Sequence, residues 1–214
     1  MAENLSDVVA NPVRLLVGLG NPGSKYAATR HNAGYWFADA VANRYAASFR
    51  GNPRFFGELA ELSIGGRSIR VLKPTTYMNE SGRSVAAVVQ FFRLPVEEVL
   101  IAHDEIDLPP GAARLKRGGG HGGHNGLRDV IPALGSPDFA RLRIGVGHPG
   151  HKDLVTGYVL NRPRSEEQPL IEQALANALD TFELIVSGDF SRAMNSLHRK
   201  ADEAAAEAED DDVS

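Results

Sequence analysis

Apolar positions along the chain follow two alternating rhythms. Short runs of aliphatic residues at 13–19, 58–64, 68–73, 99–103 and 142–146, most of them bounded by Gly, Pro or Asp, predict strands. Between them the spacing changes to that of a helix. Val85, Val88, Val89 and Phe92 recur at i, i+3, i+4 and i+7 within 84–92, which places one apolar stripe on a helix that can pack against a sheet. Ile171, Ala174, Leu175, Ala178, Phe182 and Ile185 repeat the pattern along a longer carboxy-terminal helix, while HNAGYWFADAVANRY and NGLRDVIPAL predict two more. This alternation implies α/β architecture: a single domain with a central, mostly parallel (mixed) twisted sheet and helices on both faces. The domain is expected over 13–200, between an amino-terminal extension (1–12) and an acidic, disordered tail (201–214). No internal repeat or linker divides it.

Composition narrows the setting. A chain of 214 residues can bury roughly 70% of the surface its unfolded form exposes, so it needs no covalent staples. Cysteine is absent, which removes disulfides, thiolate nucleophiles and Cys-ligated zinc, and fits a reducing, cytoplasmic location. Glu3 and Asp7 stand where a secretory signal would carry positive charge, and no run approaches the ~20 apolar residues of a membrane span, so no membrane partner is expected. The net charge of -4 hides an asymmetry: seven acids lie in the last 14 residues, leaving the preceding 200 at +3. Between 108 and 152, Arg114, Lys116, Arg117, Arg128, Arg141, Arg143 and Lys152 face only Asp129 and Asp138. Such an excess suits a polyanion, although a solvated Arg-rich face has the same composition.

The segment VGLGNPG places Gly18, Gly20 and Gly23 in the G-x-G-x-x-G spacing of a dinucleotide-binding turn. A nicotinamide oxidoreductase is therefore one alternative. That fold needs a helix directly after the glycines and an acid about 20 residues on, at the end of a second strand. Here Pro22 and SKYAATR delay the helix to about His31, and Asp39 falls inside it. The glycines more simply allow a sharp turn that aims Asn21 at a site.

In a parallel sheet, loops leaving the carboxyl ends of strands share one edge, where ligands bind. Asn21, Asn79 and Asp104 leave strands there, and Asn125 follows GGGHGGH, so three carboxamides and a carboxylate can converge with His31. The chain has no Cys and no G-x-S-x-G elbow. A His that takes a proton from water, oriented by an Asp, is the remaining economical hydrolytic arrangement. Blander readings stand beside it. His31-Asn32 can cap a helix, Asp104, Glu105 and Asp107 can bind magnesium, and the H-x-x-H pairs His121/His124 and His148/His151 have a zinc-like spacing. The run Gly118 to Gly123 is either a flexible loop or a clamp for a phosphate backbone.

Taken together, VGLGNPGSKYAATRHNAG, KPTTYMNESG, AHDEIDLPPG, GGGHGGHNGL and RLRIGVGHPG resemble the bacterial peptidyl-tRNA hydrolase family, in order and spacing, from about Arg14 to Leu197. The resemblance implies hydrolysis of the ester joining a peptide to the 3′ end of tRNA, with no metal and no cofactor. It implies that His31 is the general base and Asp104 its support. Asn21 and Asn79 would hold the peptide and position the ester, and Asn125 would act near the terminal adenosine. Tyr26, Tyr77 and Met78 would wall the peptide channel, Tyr77 standing where relatives carry Phe. Lys116 and Arg143, supported by Arg114, Arg117 and His124, would grip acceptor-stem phosphates. The expected partner is peptidyl-tRNA, through its CCA end and acceptor stem. No obligate protein partner is expected, and one complete site per chain implies a monomer. The rival within this fold is a noncatalytic RNA-binding module, which has no use for a base beside an orienting acid.

Overall fold

The computed structural model describes residues 11–199. The expected tail lies outside them, as does all but the end of the expected extension. Seven strands form one sheet in the order β2-β3-β4-β1-β5-β7-β6. They are β1 (Leu15–Gly18), β2 (Arg50–Asn52), β3 (Gly57–Ile64), β4 (Arg67–Pro74), β5 (Val99–Glu105), β6 (Ala113–Arg117) and β7 (Ala140–Gly145). The inner pairings β4–β1, β1–β5 and β5–β7 are parallel, whereas β2–β3, β3–β4 and β6–β7 are antiparallel. The sheet is therefore mixed, parallel at its centre and antiparallel at both margins.

Two strands escape the apolar pattern. β2 is RGN, without an apolar residue, and β6 is ARLKR, in which only Ala113 and Leu115 turn inward. Among the described residues, the helices around the sheet are α1 (Ala33–Arg44), α2 (Ser81–Phe92), α3 (Asn125–Leu134), α4 (Val155–Val159), α5 (Glu167–Asp180) and α6 (Phe182–Ser187), and residues 190–199 are also helical. The single long carboxy-terminal helix expected from the stripe is instead broken at Thr181. There the Thr181 hydroxyl donates to the Ala178 carbonyl at 2.9 Å and the chain starts α6. The stripe survives the break, since Ile171, Ala174, Ala178, Phe182 and Ile185 are all buried.

Period-two alternation along β1 explains why both faces are covered. Leu16 joins Phe37, Val41, Phe182 and Ile185 in a core under α1, α5 and α6. Leu15 and Val17 join Val85, Val88, Ile101 and Leu127 in a second core under α2 and α3. Helix α1 crosses the sheet unusually closely. A Cβ on Gly18 would lie 2.3 Å from the Gly34 carbonyl oxygen, and one on Gly34 would lie 2.3 Å from that of Ala102. A Cβ on Gly20 would strike the Tyr35 ring at 2.6 Å. The first two glycines of the dinucleotide-like motif are thus consumed by helix packing. The third, Gly23, turns the chain at φ +98° into turns and a 3-10 segment (Arg30–Asn32), with no helix amino terminus over the turn. The nicotinamide alternative loses its structural premise.

Candidate active site

Three parallel strands deliver their carboxyl ends to one edge, and the 3-10 segment ahead of α1 lays His31 across it. His31 Nδ1 lies 2.8 Å from Asp104 Oδ1, with the two side chains 8% and 2% exposed. His31 Nδ1–H then donates to the carboxylate, and Nε2 is left as the basic nitrogen. Burial by itself disfavours the imidazolium, but the Asp104 charge and hydrogen bond outweigh it, and the His31 pKa stands above the ordinary 6.5. Asp104 shows the converse balance. Burial would raise it, yet the charges of His31 and His124 and the hydrogen bonds from both hold its carboxyl far below the usual range.

His124 is the residue whose position differs most from expectation. It does not face outward as a phosphate ligand. Its Nε2 lies 2.9 Å from the same Asp104 Oδ1, and its Nδ1 accepts the backbone N–H groups of Gly126 at 3.1 Å and Leu127 at 3.3 Å. Both ring nitrogens are therefore occupied, one capping α3 and one holding the carboxylate. Behind it, His103 is fully buried, with Nδ1 2.7 Å from the Asp104 carbonyl oxygen and its ring edge-on to His124 at 5.0 Å. Its pKa is pushed down to about 3, by burial first and then by His124. His103 is a neutral spacer.

Asn21 is buried and tightly held. Its Oδ1 accepts the Met78 N–H at 2.8 Å, which leaves the amide Nδ2 as a donor. Its backbone is clamped by Asn32, which accepts from Asn21 N–H at 2.9 Å and donates to Asn21 O at 3.0 Å. Asn32 therefore does not cap α1. It ties the Asn21 loop to the neighbour of His31, a role that its adjacency to His31 hints at but does not specify.

These groups open onto a cleft of about 850 Å³ lined by Asn21, His31, Tyr77, Met78, Asn79, Asp104, His124 and Asn125, with Val155, Val159 and Leu160 from α4 and the residue after it. Tyr77 is 54% exposed and Met78 3%. Asn125 accepts from Arg128 at 3.0 Å. Tyr26 is not brought to this lining; it is half-buried outside it, with the Lys25 ammonium 4.6 Å above its ring. Arg128, His148 and Lys152, by contrast, do line it.

The alternative magnesium cluster does not assemble, because Glu105 Oε2 pairs with Arg143 at 2.8 Å while Asp104 faces the imidazoles. The H-x-x-H pairs do not assemble either. His121, His148 and His151 accept local backbone N–H groups in their own turns. Among the described residues, one group of metal-ligating types lies close together: His31, Asp104 and His124, with atoms within 4.8 Å of one another. Both imidazoles there meet a single carboxylate oxygen at hydrogen-bond length.

The basic residues have their own order. In the β6–β7 register Arg114 opposes Arg143 and Lys116 opposes Arg141, so all four share one face of the sheet margin. Lys116 is exposed. Arg143 is partly engaged by Glu105, and Arg141 is buried, donating to the carbonyls of Gly119 and Gly120 in the glycine loop. Arg117 lies on the other parity. Its guanidinium stacks over Phe190 and donates to the Glu97 and Asn11 carbonyls, which turns it from the shared face.

Fold and site together define an α/β protein with a buried His–Asp pair at the carboxyl edge of its sheet. Residues 15–205 match the family described as peptidyl-tRNA hydrolase. The peptidyl-tRNA hydrolase of Halorhodospira halophila is 56% identical over 86% of this chain and 95% of its own length. That of Erwinia tasmaniensis is 54% identical over 87% and 96%. A crystal structure of peptidyl-tRNA hydrolase from Acinetobacter baumannii superimposes with a TM-score of 0.85 at 50% identity, covering 87% of this chain and 94% of that one. The chain belongs to the peptidyl-tRNA hydrolase family.

Proposed function

We propose that this chain hydrolyses the ester between the peptide and the 3′ end of tRNA in peptidyl-tRNA, using water activated by His31. The observation that carries the mechanism is the 2.8 Å contact between His31 Nδ1 and Asp104 at the floor of a cleft rimmed by carboxamides. His31 Nε2 takes a proton from water as the oxygen attacks the ester carbonyl, and the imidazolium that forms is held by Asp104. The developing oxyanion is met by a neutral donor, for which the fixed Nδ2 of Asn21 is suited. Collapse of the tetrahedral intermediate returns the proton to the departing 3′ oxygen. An ester is a better acyl donor than an amide, so a base worth about 10²–10⁴ together with positioning suffices.

Asn79 and Asn125 are the groups for peptide and terminal-nucleotide contacts. Carboxamide donors pair with a peptide carbonyl, whereas the free ammonium of an aminoacyl ester would leave them unpaired. On the β6–β7 face, exposed Lys116 is the first choice for an acceptor-stem phosphate, with Arg114 and Arg143 beside it. Such contacts position tRNA without reading its sequence. No helix among the described residues is long and apolar enough to cross a membrane. A monomer acting in the cytoplasm is the simplest setting, because every group named lies in one chain.

The direct test is single-turnover release of labelled peptide from peptidyl-tRNA, run with and without chelator. Chelator-insensitive release supports the reading. Failure to release peptide refutes it.

A further inference from the structure

Arg30, the residue before the candidate base, is only 3% exposed. A permanently charged group at that depth needs compensation, and the chain that walls the cleft supplies it at both terminal nitrogens. Nη1 donates to the carbonyls of Tyr158 at 3.2 Å, Asn161 at 3.4 Å and Arg162 at 2.7 Å. Nη2 pairs with Glu167 at 2.5 Å, and the guanidinium lies 3.9 Å from the centroid of the Tyr158 ring. The Arg30 backbone N–H adds a bond to the Asn161 carbonyl at 3.1 Å. All these partners fall between α4 and the start of α5.

Helix α4 has five residues, far below the ~12–15 at which a helix becomes even marginally stable alone, so its place is set by tethers. Apart from Arg30, the Tyr158 hydroxyl reaches the Val146 carbonyl at 2.7 Å. From α4, Val155 and Val159, with Leu160 after it, supply apolar lining to the cleft that also holds Tyr77 and Met78. The base itself is anchored separately, by Asp104.

We propose that Arg30 is a positioning residue that fixes the α4 wall over the acyl-binding part of the cleft, and so sets how tightly the peptide portion of the substrate is held. This rests on the hydrolase reading. Loosening the wall weakens acyl contacts equally in the ground and transition states, which raises KM and leaves kcat alone. Contacts to tRNA phosphates and the acid limb of the pH profile do not change, because neither passes through α4.

The test compares wild type, Arg30→Lys and Glu167→Gln in steady-state hydrolysis of peptidyl-tRNA, with inhibition by deacylated tRNA, a pH profile and a melting curve for each. Arg30→Lys is expected to raise KM about fivefold or more, with kcat, the tRNA inhibition constant and the acid limb within about twofold. Glu167→Gln, which keeps an acceptor but removes its charge, should shift KM the same way by about twofold. Equal falls in kcat and kcat/KM, a matching rise in the tRNA inhibition constant, or a lower melting temperature with unchanged KM would each overturn the assignment. If Arg30→Lys does not fold, Glu167→Gln decides alone, and a wild-type KM in it refutes the proposal. Wild-type protein that releases no peptide sinks the hydrolase reading itself, a result distinct from active variants with unaltered KM.

Discussion

The close crossing of α1 over the sheet makes Gly34→Ala the sharpest test of how the fold places the base. An added methyl would lie 2.3 Å from the Ala102 carbonyl oxygen, 2.5 Å from Leu19 N and 2.6 Å from Leu19 O. All three are backbone atoms of β5 and of the β1 exit, so none can rotate away. Restoring ordinary contact at about 3.4 Å requires the amino end of α1 to lift by about 1 Å. Overpacking of this kind costs about 1–3 kcal/mol, and in a chain of this size each kcal/mol lowers the melting temperature by about 2–4 °C. His31 lies three residues upstream, so the lift carries the imidazole away from Asp104 and the cleft. A misplacement of about 1 Å can cost about 10²-fold in rate. Calorimetry should therefore find a loss of roughly 2–12 °C, and single-turnover hydrolysis, run well below the melting transition, a fall of about tenfold to a hundredfold. Gly51→Ala, at a position with nothing within 4 Å, should stay within about 0.5 kcal/mol of wild type. If Gly34→Ala melts within about 1 °C of wild type and hydrolyses at the same rate, α1 is not pinned to the sheet as described.

His31→Ala should lower turnover by about 10² or more while leaving the fold and tRNA affinity near wild type, as read by single-turnover rates and a binding isotherm; retained turnover would remove the base. Wild-type kcat/KM should fall on acidification through a value above 6.5, because His31 must be neutral to accept a proton and Asp104 raises its pKa. In Asp104→Asn that raising influence is gone and burial remains, so the acid limb should move to lower pH even as the plateau drops; a limb that stays or moves upward contradicts the assignment. Lys116→Ala should weaken binding to all tRNAs alike and reduce the slope of log K against log salt by about one unit, as titrations between low and moderate salt would reveal.

Much of the sheet was legible because its central strands are apolar on both faces, and β1 and β5 announce themselves by composition alone. The margins were not. β6 buries only Ala113 and Leu115 between basic residues, so its five residues read as a charged surface until the pairing with β7 is known. The break at Thr181 is likewise silent, because the apolar stripe runs through it unchanged. In the site, strand-end logic brought Asn21, His31, Asn79, Asp104 and Asn125 to one cleft. It did not reveal that His124 turns inward, since that depends on the glycine loop delivering α3 with its capping residue beside Asp104. Arg117 and Arg141 contribute to the basic excess of the sequence, yet burial and carbonyl partners engage them internally. Sequence gives charge, but only packing tells which charges remain available to a ligand.

The inward turn of His124 bears on the chemistry. Asp104 Oδ1 is shared by two imidazoles, and in the transition state only one of them should become positive. The N–H groups of Gly126 and Leu127 supply that asymmetry: they donate to His124 Nδ1 while Nε2 meets Asp104, so both of its ring nitrogens are already engaged. His31 meets no such obstacle. Its Nδ1 proton already faces the carboxylate, and its Nε2 has the cleft before it. Of the two imidazoles, His31 is the one with a nitrogen left open to the cleft, which suits it to the proposed base role. His124 holds the same carboxylate oxygen from the α3 side. Held at Oδ1 by two imidazoles, the Asp104 carboxylate stays beside the ring that the proposed mechanism protonates.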